Sequence, residues 1–257
     1  MNPFRLCIAS STVGGKTTNI LNMCLQQKFY RNVFSAIILV SPSLGVDDML
    51  NPLLKRMEQL GQDPDRDSRK DFDDAWLQDK LDNHKKVIQY QKARGVTKLH
   101  SLLVILDDVC DQGPALRAAG SGTGALSTIF TRGRHLGISC ILSLQKVTTA
   151  CPPLLRTNIS DWLIGRQRVL KELLFLLGEV SALLPSHKAL DWFYRKATEK
   201  PYSFLWVSPA RQPDDVFHLG FTKGVPIKEI LRKWKQESES GEDVEILPDD
   251  PGAEDSD

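Results

Sequence analysis

Short apolar runs alternate with longer amphipathic stretches along most of this chain. Residues 4–9, 36–40, 102–106, 138–144, 162–164 and 202–207 are apolar or β-branched at nearly every position rather than at every second one. A strand buried on one face would alternate, so these runs predict strands covered on both faces, hence a mostly parallel sheet with helices on either side. The expected fold class is a three-layer α/β domain. Between the second and third runs, residues 46–98 are long for a single crossover. They read as a helix near 47–60, a polar break at GQDPDRDSRKD and a second helix over 76–94, together an inserted helical hairpin. RVLKELLFLLGEV and LPSHKALDWFYRKA predict two more helices before the last strand, 202–207.

Composition changes this picture little. In 257 residues, 41% hydrophobic and 25% charged, the chain has the make-up of an ordinary globular protein, so function has to be read from motifs. The net charge of +1 hides an asymmetry: residues 237–257 carry ten acids and no Lys or Arg, and without those ten acids the body is at +11. A basic body suits a polyanionic partner, and residues 236–257 read as an acidic disordered tail. The five cysteines are odd in number, have no CxxC spacing and mostly sit in apolar runs, as buried thiols of a reducing compartment do. No run approaches eighteen apolar residues and the start has no signal-peptide core, so the expected setting is soluble and intracellular, with no membrane partner.

The chemistry begins at RLCIASSTVGGKTTNIL, where an apolar strand breaks into small and hydroxyl residues and then resumes at helical spacing. Consecutive backbone N–H groups at the start of a helix form a concave anion site, and GKTT at that point is the pattern of a phosphate-binding loop. The candidate cofactor-binding set is Ser10, Val13, Gly14, Gly15, Lys16, Thr17 and Thr18. Gly14 and Gly15 permit close backbone approach, Lys16 supplies charge to the β- and γ-phosphates of ATP, and Thr17 offers its hydroxyl to Mg²⁺. Ser10 stands where such loops usually carry glycine. SLLVILDDVCD is a second apolar strand, ending in Asp107 and Asp108. Strand ends of this kind are where α/β sheets place ligands; Asp107 is positioned to hold Mg²⁺ through water and Asp108 to polarise an attacking water. A third strand, ISCILSLQKV, ends in Gln145, an amide able to contact the γ-phosphate or that water. Each motif alone has a bland reading, as a chance helix cap, a turn or a solvated strand end.

Together, LLVILDD, LSTIFTRGRHLGISCILSLQKV and CPPLLRTNISDWLIGR resemble the DNA-packaging ATPases of poxviruses, other large DNA viruses and their transposon relatives, within the FtsK/HerA superfamily of additional-strand P-loop ATPases. The similarity spans about residues 4–166. It implies a P-loop NTPase fold with an additional strand between the Walker A and Walker B strands, a homo-oligomeric ring and ATP-driven translocation of double-stranded DNA into a capsid. Lys16 and Thr17 would bind nucleotide and Mg²⁺, Asp107 would be the Walker B acid, Asp108 the catalytic acid and Gln145 the sensor; many relatives in the wider superfamily carry glutamate at the position of Asp108. A ring motor also needs an arginine finger from the neighbouring subunit. The candidates are Arg134 and Arg156, with Arg132 and Arg166 behind them. A capsid or nuclease partner and a site of action in a viral factory, nucleus or virion follow from the same resemblance, and DNA contacts would be phosphate contacts without sequence preference.

The expected organisation is therefore a P-loop ATPase domain over residues 1–235 with the helical insertion at about 46–98, then the tail. The Gly- and Ala-rich GPALRAAGSGTGALS reads as a flexible connection after the acidic pair. Other classes stay open on the residues alone: a related cellular or mobile-element DNA pump, a small-molecule kinase, or a nucleotide-dependent adaptor with weak hydrolysis.

Overall fold

A computed structural model of the chain describes residues 3–109, 112–222 and 224–239. Its strands are β1 (Arg5–Ala9), β2 (Ala36–Val40), β3 (Ser68–Arg69), β4 (Leu102–Asp107), β5 (Ile138–Leu144), β6 (Asp161–Gly165), β7 (Phe204–Val207), β8 (Phe217–Leu219) and β9 (Gly224–Val225). The α-helices are α1 (Lys16–Leu25), α2 (Asn51–Gln59), α3 (Pro64–Asp67), α4 (Asp74–Ala93), α5 (Gly113–Ala119), α6 (Ala125–Arg132), α7 (Val147–Ala150), α8 (Pro153–Arg156), α9 (Leu170–Val180), α10 (His187–Ala197) and α11 (Ile227–Glu239). The strands form one sheet in the order β3-β2-β4-β5-β1-β6-β7-β8-β9, parallel from β3 to β6 and antiparallel beyond.

The continuous apolar runs are explained by this arrangement. Every residue of β4 is buried, and alternate residues enter different cores. Leu103 and Ile105 pack with Ile20 and Met23 of α1 and Leu53 and Met57 of α2, whereas Leu102, Val104 and Leu106 pack with Leu77 and Leu81 of α4 and Ile129 of α6. A parallel sheet needs both faces covered because its crossovers lay helices on each side. The strand between β1 and β4 in space is β5, so an additional strand does stand between the strand that leads into GGKT and the strand that ends in the acidic pair.

Four expectations change. Residues 46–98 do not form a hairpin set apart from the sheet, because α2 and α4 pack on opposite faces, and the polar break between them contains α3 and the edge strand β3. GPALRAAGSGTGALS is not a loop but α5, a turn and the start of α6. Its small residues allow close approach: a Cβ on Gly124 would lie 2.3 Å from the Ala119 carbonyl oxygen and one on Gly120 2.5 Å from Pro152. The strand 202–207 starts only at Phe204 and is not the last, since β8 and β9 follow it, too short to show a period. Finally, α11 runs through Glu239, past the expected tail boundary. Its Glu237 accepts a hydrogen bond from Trp192 Nε1 at 2.9 Å and pairs with Lys196 at 3.0 Å. The remainder of the acidic tail and Cys110 lie outside the described residues.

The other four cysteines are buried. Burial pushes the thiols of Cys24, Cys140 and Cys151 up to about 12, which makes them inert packing groups. Among the described residues no single helix is long and apolar enough to cross a membrane.

Candidate functional site

The carboxyl ends of β1, β5 and β4 lie side by side, and the three sequence motifs meet there. After β1 the chain turns through Val13 at φ 61° and Gly15 at φ 79° into α1. Both are left-handed conformations; glycine adopts one freely, whereas a β-branched valine does so only when the surroundings hold it. Helix α4 is capped by Asp73, which accepts from Trp76 N, and α10 by Ser186. Helix α1, like α2, α5, α6 and α9, has no side-chain cap, and it alone of these opens in a GGKT turn, where first-turn N–H groups suit an anion.

Ser10 sits beneath this turn rather than on its open side. It is 2% exposed, and its Oγ has no hydrogen-bond partner. A Cβ on Gly14 would lie 1.8 Å from that Oγ and one on Gly165 2.7 Å from it. Glycine at 14 and at 165 thus makes room for the serine that replaces the usual glycine. The Ser10 contribution to the loop is its carbonyl, which accepts from Lys16 Nζ at 3.3 Å, with the Ser11 carbonyl accepting at 3.4 Å. Val13, Thr12 and Thr18 are exposed at the mouth.

Thr17 Oγ1 donates to Asp107 Oδ2 at 2.9 Å. Asp107 is 1% exposed, and its Oδ1 is buried with no hydrogen-bond partner. Burial pushes its carboxyl above the ordinary value, the Asp108 charge adds to that, and the neighbouring Ser143 hydroxyl, the Thr17 hydroxyl and the Lys16 ammonium oppose it. A hard oxygen pair with an orphaned buried acceptor fits Mg²⁺, which takes one or two protein oxygens and keeps several waters. Asp108, at φ 53°, is half-buried and accepts from Gln145 Nε2 at 2.7 and 2.8 Å. Gln145 Oε1 in turn accepts from Thr12 Oγ1 at 2.9 Å.

The candidate arginines are dispersed. Arg134 and Arg132 precede β5, at the opposite end of a seven-residue strand from Gln145, about 23 Å away at the rise of an extended chain. Arg134 is exposed and lines a groove of about 490 Å³ with Lys98, His100 and His135. Arg156 is taken up inside its own chain, 3.3 Å from Glu179 and over the Phe175 ring. Only Arg166 reaches the nucleotide end, where its Nη2 donates to the carbonyls of Thr198 and Glu199 and its own carbonyl accepts from Ser11 N.

Sequence reasoning missed four further residues. Thr12 links the loop to Gln145. Gln167 Nε2 donates to the Ala9 and Gly165 carbonyls at 3.0 and 3.2 Å, tying β1 to β6 under the loop. Glu172, buried in α9, accepts from Val147 N and Thr148 N and anchors the chain just after Gln145. Tyr202 stands beside Gly15. Thr12 lies inside the SSTVGGKTT stretch as a hydroxyl residue and the other three lie outside every motif, with a charged residue in an apolar helix for Glu172 and an aromatic after proline for Tyr202 as sequence signals.

No known family profile and no curated protein matches the chain. Solved structures do. The DNA-packaging ATPase B204 from Sulfolobus Turreted Icosahedral Virus superposes with a TM-score of 0.53 at 19% identity, over 81% of this chain and 94% of that one. The genome packaging NTPase B204 from Sulfolobus turreted icosahedral virus 2, in complex with sulfate, gives 0.55 at 16% identity, over 86% and 98%. EssC (ATPases 2 and 3) from Geobacillus thermodenitrificans gives 0.52 at 17% identity, over 92% of this chain and 43% of that one. The shared property is the fold, an α/β sheet of the kind found in these ATPases.

Proposed function

We propose that the chain is an ATP-hydrolysing motor subunit of the FtsK/HerA type that works as a homo-oligomeric ring and moves double-stranded DNA, in the setting of viral genome packaging. The observation that carries the reading is the joining of three strand ends by two contacts, Thr17 to Asp107 and Gln145 to Asp108. A phosphate loop followed by one acid for a metal and one acid for a water is the equipment of NTP hydrolysis. The resemblance of the motifs and the fold shared with two packaging enzymes support the same reading.

In this reading Gly14, Gly15 and the uncapped start of α1 bind the phosphates through backbone N–H groups. Lys16 exchanges the Ser10 and Ser11 carbonyls for β- and γ-phosphate oxygens. Thr17 and Asp107 would hold Mg²⁺, which would supply positive charge against the β- and γ-phosphates. Asp108 orients the attacking water and draws its proton, and Gln145, sharing that carboxylate, reports whether the γ-phosphate is present. A finger arginine from the neighbour completes the charge balance. Lys and Arg of a body at +11 face the DNA phosphates.

The test is steady-state ATP hydrolysis by the full chain with and without long double-stranded DNA, alongside Lys16→Ala and Asp108→Asn. Turnover that rises with DNA and vanishes in both variants is expected. Turnover indifferent to DNA would favour another NTPase, and nucleotide binding without turnover an adaptor.

A further inference from the structure

The side chains placed for phosphate chemistry, Asp107, Asp108 and Gln145, lie on the β4 and β5 side of β1. A nucleoside triphosphate is elongated. With its γ-phosphate toward Asp108, its base emerges on the other side of the loop, over the ends of β6 and β7. Strand β7 is antiparallel to β6, with Gly165 opposite Phe204, so the turn that enters β7 lies beside the chain that leaves β6.

That turn is built against local preference. Ser203 N donates to the Lys200 carbonyl at 3.2 Å, Pro201 is the second residue and Tyr202 the third, at φ 62°. Proline suits the second position, but a positive φ at the third is ordinarily supplied by glycine or asparagine, because a Cβ crowds the following carbonyl. Tyrosine there does not serve the core, for Tyr202 is 66% exposed. It stands instead against the phosphate loop: a Cβ on Gly15 would lie 3.4 Å from Tyr202 Cδ1 and 3.8 Å from Cγ. The approach to the turn is held by Arg166, which donates to the Thr198 and Glu199 carbonyls at 2.9 and 2.8 Å. A strained, braced and exposed aromatic ring on the base side of a phosphate loop is what a stacking platform requires.

We infer that Tyr202 is the platform on which the nucleobase stacks. The inference rests on the nucleotide-site reading above and deepens it. Because every base has a π-face, the platform favours nucleoside triphosphates over inorganic triphosphate without choosing strongly among bases.

Binding of ATP and of inorganic tripolyphosphate, titrated calorimetrically to the full-length wild type and to Tyr202→Gly, Tyr202→Asn and Tyr202→Phe, tests it. Glycine and asparagine accept the positive φ, so both variants fold with a Tm no lower than wild type. Each is expected to weaken ATP binding by about fivefold or more while leaving tripolyphosphate unchanged, and Tyr202→Phe to keep wild-type affinity. Unchanged ATP affinity in the glycine and asparagine variants, or an equal loss of both ligands, overturns the platform. A wild type that binds both ligands equally overturns the platform and leaves the phosphate site standing. A wild type that binds neither overturns both.

Discussion

Gln145 Nε2 lies within hydrogen-bond distance of both Asp108 carboxylate oxygens, at 2.7 and 2.8 Å, while its Oε1 accepts from Thr12 at 2.9 Å. The amide orientation follows from its partners, since a carboxylate can only accept. One side chain at the end of β5 therefore connects the mouth of the phosphate loop to the acid at the end of β4. Any ligand atom that takes the amide away from Asp108 changes that carboxylate's direction.

Gln145→Ala should consequently lower kcat for ATP by about 100-fold with KM little changed, as loss of a preorganised donor does. Thr12→Ala, which removes only the outer contact, should cost less than about tenfold. Steady-state kinetics on the two variants checks the order, and a larger effect of Thr12→Ala would refute the linkage.

Asp107 should be a residue that costs stability. Its folded carboxyl is raised by burial, so ionisation at neutral pH is disfavoured in the native state relative to the unfolded one. Asp107→Asn keeps an acceptor for Thr17 and carries no charge. The expected outcome is a Tm higher by about 2–4 °C, corresponding to about 1 kcal/mol in a chain of this size, together with loss of Mg²⁺-dependent hydrolysis. Thermal unfolding without ligand, paired with an ATPase assay, measures both.

The His84 and His100 pair should make the protein acid-sensitive. His84 Nε2 donates to the Leu136 carbonyl at 2.7 Å and its Nδ1 faces His100 Nδ1 at 3.4 Å. Burial holds both imidazoles below the ordinary value of 6.5, with His100 also disfavouring a charge on His84. The native state then binds fewer protons than the unfolded state just below pH 6.5, so stability falls as pH drops through that value and levels off below the folded values. Urea midpoints at about pH 7.5 and about pH 5.5 should differ, and His84→Gln should shrink the difference.

Two inactive variants should rescue each other if Arg134 is the finger. Arg156 is committed to Glu179 and Phe175, whereas the Arg134 side chain has no hydrogen bond or ion pair among the described residues. In a mixed ring, a Lys16→Ala subunit lends its Arg134 to the intact phosphate loop of an Arg134→Ala neighbour. Mixing the two should restore ATPase activity that neither has alone, while Arg156→Ala should lower Tm. No recovery on mixing would exclude Arg134.

The layers were legible in the amino-acid sequence, and the motifs named the candidate residues for the chemistry. Runs apolar at every position can be buried only by two-sided cover, whereas GGKT, the acidic pair and the strand-end glutamine each have a bland reading alone and point to one chemistry only when taken together. What the tertiary structure alone decided depends on contacts between distant segments. The position of β5 between β1 and β4 sets Gln145 against Asp108, and the room left by Gly165 accommodates Ser10. The antiparallel return of β7 brings Tyr202 to Gly15, and the far end of β5 carries Arg134 away from its own phosphate loop. Strands of two or three residues, such as β3, β8 and β9, show no period of their own, and they exist because a neighbouring edge offers hydrogen bonds. Local patterns record which faces a segment must bury, while its neighbour is chosen by the packing of the whole chain.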